Sequence, residues 1–140
     1  MSIRRFEDIQ AWQSSRELCQ SVYQLSTRGQ FAKDFSLRDQ VRRAAVSIMA
    51  NIAEGFDSHS NPEFVQFLYY ALRSASELQS HFYIAHDQGY LTDTQFRELY
   101  DQTSRIKGML FAFIDYLRAH KKPAVGVRSF KPRTSNLERL

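Results

Sequence analysis

Cysteine, glycine and proline are all scarce in this chain. With one cysteine, Cys19, in 140 residues, no internal disulfide can form, and no CxxC or Cys/His cluster offers zinc its usual ligands. Five glycines and three prolines are too few for a collagen-like, linker-like or turn-dense all-β chain. Long apolar runs are missing too. Even a run such as Met109 to Ile114, which none exceeds, falls far short of the ~18 residues that mark a membrane span, so no membrane association is expected. Arg4 and Arg5 are followed by Phe6-Glu7-Asp8 rather than an apolar stretch; no signal peptide is expected, and a cytoplasmic protein is. HExxH, Walker A, GxGxxG and nucleophile-elbow sequences are absent. Cys19 falls within an apolar stripe, as a small buried hydrophobe does. The chain reads as a non-enzyme, with no metal and no cofactor.

What is plentiful is aromatic and apolar. Eleven phenylalanines and seven tyrosines, within 43% hydrophobic residues overall, supply enough surface for the core of one domain. No window alternates with period two. The apolar residues recur instead at helical spacing. A first helix is expected over 8–26, with Ile9, Trp12, Cys19, Val22 and Leu25 on or near one stripe and Arg28-Gly29 ending it. A second, over 36–55, carries Leu37, Val41, Ala44, Ala45, Ile48 and Ile52 on one face. Ser36 is its expected N-cap, Asp39 its third position, and Gly55 its end. A third, over 61–88, has Asn61 as cap and Pro62 at its first position. Phe64, Phe67, Leu68, Ala71, Ala75, Leu78, Phe82 and Ala85 follow on one stripe until Gly89. A fourth, over 92–118, opens on a Thr92–Gln95 capping box with Leu91 and Phe96 as a hydrophobic staple. Leu99, Thr103, Ile106, Leu110, Phe113 and Leu117 continue its stripe. Four such helices with short connections predict an all-α fold, an antiparallel up-down four-helix bundle over 1–119, followed by a basic, flexible tail over 120–140. Val65, Tyr69, Leu72, Tyr83, Tyr100, Met109, Phe111, Ile114 and Tyr116 exceed one stripe per helix, which points to a thick core or a subunit interface.

The charge is uneven. From His120 onward six basic residues stand against one acid, whereas residues 1–119 carry 13 basic and 14 acidic side chains. The basic character belongs to the tail, where Lys121, Lys122, Arg128, Lys131 and Arg133 would attract phosphate backbones or acidic protein surfaces. Within the bundle, Arg38 and Arg42 lie one turn apart, and with Arg73 they could line a phosphate-binding surface, because guanidinium forks match phosphate oxygens. Pairing with Asp34, Asp39 or Glu77 is the structural alternative.

Polar residues inside the apolar stretches form a second set. Ser47, Asn51 and Glu54 share one line, Ser74, Glu77 and His81 another; facing each other they would make a hydrogen-bonded seam fixing the helix register. Arg43, beside the apolar face, is expected to join that seam as an ion-pair partner. A small-molecule or metal pocket along Asn51, Glu54, Glu77 and His81 is the competing reading. A bridged di-iron site is not expected, because no Glu is followed by His three positions later.

The block Gln40-x-Arg42-Arg43-Ala44-Ala45-x-Ser47-Ile48, followed by Asn51-Ile52-Ala53-Glu54-Gly55, stands among further matching residues. Phe6-Glu7-Asp8-Ile9 precedes it, and Glu63-Phe64, Ser74, Glu77-Leu78 and Gly89-Tyr90-Leu91 follow. Over about residues 6 to 118 the chain thus resembles the 23S rRNA-intervening-sequence protein family of small bacterial four-helix bundles. The resemblance implies a barrel-like homopentamer with a central channel. It also implies kinship with the accessory protein of diversity-generating retroelements, which binds nucleic acid and a reverse transcriptase. Two positions depart from the family pattern. Met49 stands where many members have proline, which should leave the second helix straighter; Arg73 replaces a frequent glycine and adds a cation. The resulting expectation is a homo-oligomeric scaffold that binds RNA or DNA backbones, with a protein–protein adaptor as the alternative.

Overall fold

The computed structural model describes residues 3–120. A 3-10 turn, Phe6–Asp8, leads into α1 (Gln10–Ser26), α2 (Gly29–Lys33), α3 (Phe35–Phe56), α4 (Asn61–Asp87) and α5 (Asp93–Ala119). There are no strands among the described residues, so the molecule is an all-α helical bundle. The expected tail, with Lys121, Lys122, Arg128, Lys131 and Arg133, lies outside the described residues.

The helix ends follow capping chemistry, at two places one or two residues from the expected site. The α3 cap is Asp34, whose carboxylate accepts the Leu37 N–H at 3.1 Å, and not Ser36. A carboxylate at a helix N-terminus satisfies an orphan donor and meets the positive end of the dipole, so it outcompetes the nearby hydroxyl. Ser60 caps α4 by accepting the Glu63 N–H, which moves Asn61 inside the helix. The Asn61 amide is put to another use there: it donates to the Leu117 and His120 carbonyls, closing the end of α5. The Thr92–Gln95 capping box forms as expected. At the far end of α4, Gly89 adopts φ +78°, and the N–H groups of Gly89 and Tyr90 reach back to the carbonyls of His86 and Ala85. Such a left-handed residue just past the last turn is where glycine avoids a side-chain clash. The short α2 was not expected; five residues are too few for a periodic apolar stripe, and only Phe31 of it is buried.

Each long helix packs chiefly on two others: α1 on α3 and α5, and α4 on α3 and α5. The stripes read from the sequence meet inside this ring. Leu18, Val41, Ile48, Ile52, Phe64, Leu68, Leu78, Phe82, Ile106, Leu110 and Leu117 are almost fully buried. Val65, Leu72 and Ile114, from the surplus set, are buried as well, because α4 and α5 each bury side chains against two neighbours. Tyr83 and Phe111 remain half exposed. Gly55 is buried in the last turn of α3, one residue before its end at Phe56. It also lets α4 approach: a Cβ there would lie 2.6 Å from Phe64 Cδ1 and 2.9 Å from Phe67 Cβ. Helix α3 runs unbroken through Met49, whose sulfur accepts from the Cys19 thiol at 3.5 Å.

Candidate nucleic-acid interface

Three arginines on α1 and α3 each stand over an aromatic ring. Helical periodicity puts Phe35, Arg38 and Arg42 on one stripe of α3, and Trp12, Arg16 and Tyr23 on one stripe of α1. Arg42 joins the two stripes, whereas Arg38 reaches back to α2. The Arg42 Nε–H donates to Ser26 Oγ at 2.8 Å and Nη2 to Thr27 Oγ1 at 3.2 Å, while its guanidinium carbon stands 4.6 Å from the Tyr23 ring centre. Arg38 donates from Nη1 to the Ala32 carbonyl and from Nε to Asp39 Oδ1, both at 3.1 Å, with Phe35 at 4.8 Å. Arg16 stands 6.0 Å from the Trp12 ring. Each of Arg38 and Arg42 therefore uses two of five N–H groups on the protein and keeps the rest of its fork for other acceptors.

Of the acids that might have neutralised these two arginines, only Asp39 does so, through a partly exposed pair with Arg38 that solvent leaves weak. Asp34 is occupied by the Leu37 N–H and by the Tyr90 hydroxyl, which donates to it at 3.0 Å. Glu77 pairs with His81 one turn along α4 at 3.1 Å. Arg73, on α4, has Tyr70 at 5.6 Å; the structure does not bring it to Arg38 and Arg42 through any hydrogen bond or ion pair.

The polar seam is shorter than expected. Ser74 donates to Ser47 at 2.9 Å, and Asn51 donates to the Ser47 hydroxyl and carbonyl at 3.1 and 2.8 Å. These bonds tie α3 to α4. Arg43 and Glu54 are exposed instead. Eleven residues, three helical turns, separate them, so both fall on the outward stripe of α3 with Val46 and Ala50. Arg43 makes no ion pair among the described residues. Glu77 meets only its own helix-mate His81, and no group of three potential metal ligands occurs among the described residues.

A second polar connection lies between α4 and α5. The buried Gln79 amide donates to the Tyr100 carbonyl and Ser104 Oγ, and accepts from Lys107 Nζ. It escaped the sequence reading because a lone glutamine in an apolar helix carries no periodic signal. Burial pushes the Cys19 thiol up to about 11, so it stays protonated and unreactive near neutral pH. The aromatic partners Trp12, Tyr23 and Phe35, and the cation Arg16, were also missed as site residues. The ring-to-arginine spacings of three and four in Trp12–Arg16, Phe35–Arg38 and Tyr70–Arg73 were a legible signal; the Tyr23–Arg42 pairing was not.

The fold and this face together define a small helical bundle carrying a cationic, aromatic surface and no convergent catalytic or metal-binding group among the described residues. Residues 7–112 match the family described as 23S rRNA-intervening sequence protein, and the chain belongs to that family. A crystal structure of a protein of unknown function from the S23 ribosomal protein family of Bacteroides thetaiotaomicron is similar, with TM-score 0.69 and 25% identity, covering 74% of this chain and 97% of that one. Neither description names an enzyme. No curated protein matches the chain. No helix among the described residues is long and apolar enough to cross a membrane.

Proposed function

We propose that this protein is a non-enzymatic, homo-oligomeric scaffold, pentameric as the family resemblance implies, that binds nucleic-acid backbones. The observation that carries the reading is the pinned Arg38–Arg42 pair, one helical turn apart, with the outer N–H groups of both forks uncommitted. Phosphates spaced along a strand suit such a pair, because guanidinium donors bond phosphate oxygens in a fixed plane. Arg73 and the tail residues Lys121, Lys122, Arg128, Lys131 and Arg133 add charge in this reading. Repetition around an oligomer multiplies a weak site by raising the effective concentration of its copies. A reverse transcriptase is a protein partner in this reading by family analogy alone.

A mobility-shift titration with mixed RNA and DNA tests the proposal. Retardation is expected at ~50 mM salt and a steep loss by ~200 mM, since binding releases condensed counterions. No retardation at the lower salt with excess protein would end it.

The half-exposed Tyr83 packs with Phe96 and Tyr100 on the α4–α5 face, and this favours a second reading, a protein–protein adaptor. Pull-down from lysate with and without nuclease separates the two. Partners that survive nuclease treatment support the adaptor.

A further inference from the structure

We infer that the face carried by α1, α2 and the first turns of α3 is a single-strand binding track in which Trp12, Tyr23 and Phe35 receive unstacked bases while Arg16, Arg38 and Arg42 hold the intervening phosphates. This rests on the nucleic-acid reading above and adds to it a strand type and a site. Three features of this face carry it.

The first is exposure. Phe35 is 64% and Tyr23 43% exposed, while Trp12 is half-buried with the Phe6 ring at 5.1 Å. The arginines over Tyr23 and Phe35 are themselves held in place: Arg42 by Ser26 and Thr27, Arg38 by Ala32 and Asp39. Ring and cation are thus organised before any ligand arrives, which lowers the ordering cost of binding.

The second is alignment. Arg42 meets Ser26 and Thr27 while Met49 meets Cys19, so advancing along α3 means retreating along α1. Phe35, Tyr23 and Trp12 therefore follow one another in that order along one side of the bundle. At 1.5 Å per helical residue the line from Phe35 to Met49 and on from Cys19 to Trp12 is roughly 32 Å, long enough for several nucleotides of an extended strand.

The third is chemistry. Every base has a π face, so a row of rings with cations beside it holds a single strand with little regard to sequence. A duplex keeps its bases stacked inside and offers those rings only its phosphates. The face should therefore prefer a single strand, where basic patches alone would not.

The test uses the full-length protein with a fluorescein-labelled twelve-residue oligo-dT and a duplex of equal length at low salt, read by anisotropy. The fluorescence of Trp12, the one tryptophan in the chain, is followed in parallel. Expected are tighter binding of the single strand, quenching of Trp12 on saturation, and a loss of single-strand affinity of roughly 5- to 150-fold in Phe35→Ala or Tyr23→Leu. Duplex affinity should be nearly unchanged in both variants. Equal affinity of the wild type for both strands, or unchanged single-strand affinity in both variants, overturns the track while leaving backbone binding standing. Absence of binding to either probe overturns both readings. A fall in solution mass by light scattering in the two variants overturns the track by assigning the rings to contacts between copies. Phe35 is largely solvent-exposed, so its variant keeps the test valid if Tyr23→Leu fails to fold.

Discussion

Gly55 of α3 and Phe64 of α4 meet so closely that a β-carbon at Gly55 would lie 2.6 Å from the Phe64 ring. Phe64 is fully buried and has no free space to turn into. Gly55→Ala should gain about 1 kcal/mol of helix propensity but suffer about 1–3 kcal/mol of overpacking, a net loss read as a lower urea midpoint. Gly108→Ala, in α5 with nothing within 4 Å of the new carbon, should add up to about 1 kcal/mol of stability and so raise the midpoint. Equal shifts in the two variants would refute the close approach.

Asp34 joins two parts of the fold, capping α3 and accepting the Tyr90 hydroxyl. Asp34→Ala should lower stability by about 0.5–2 kcal/mol through the lost cap alone. The hydrogen bond to Asp34, followed by burial and the carboxylate's charge, raises the Tyr90 phenol above its ordinary value of 10.0. The folded state then holds a proton that the unfolded state releases, so this contribution is intact below pH 10 and fades as pH rises through the raised value. Tyr90→Phe should flatten that alkaline loss in a series of denaturation curves.

Burial raises the Cys19 thiol from 9.0 to about 11. Native protein at pH 8 should react with a disulfide reagent orders of magnitude more slowly than protein in denaturant, because the thiolate is the nucleophile and the sulfur is enclosed. The unfolded thiol ionises first, so stability should also fall between pH 9 and 11 more steeply in the wild type than in Cys19→Ala. Equal labelling rates with and without denaturant would contradict the packing of Cys19 against Met49.

Arg38→Ala and Arg42→Ala should each weaken RNA and DNA binding and reduce the salt slope of log affinity by about one. Arg42→Ala should also cost about 0.5–1.5 kcal/mol or more of stability, since Ser26 loses its partner across the helix pair. Arg43→Ala, on the outward stripe, should leave stability within about 0.5 kcal/mol of the wild type. A larger effect on folding from Arg43 than from Arg42 would reverse the assignment made from the contacts.

Local chemistry was the most legible part of this molecule. The Thr92–Gln95 box, the stop at Gly89 and the apolar stripes depend on neighbours within a turn or two, and these were read at or near their positions. Competition between adjacent caps was harder: Asp34 against Ser36 and Ser60 against Asn61 differ by one or two residues, and each candidate has the right chemistry. Glu54 and Arg43 looked like seam residues because their spacing placed them beside an apolar face, yet both face water. Arg42 carried no mark of its partner, since Tyr23 lies nineteen positions earlier.

The order of residues alone determined that this chain forms long amphipathic helices with one broad apolar face, because helix periodicity and capping act over distances of a few residues. Which arginine covers which ring, that Gly55 admits α4 so closely, and that only Ser47, Asn51 and Ser74 of the polar lines join α3 to α4 were decided by tertiary packing. The rotation and separation of neighbouring helices follow from how all their side chains fill shared space at once, and no single segment contains that information.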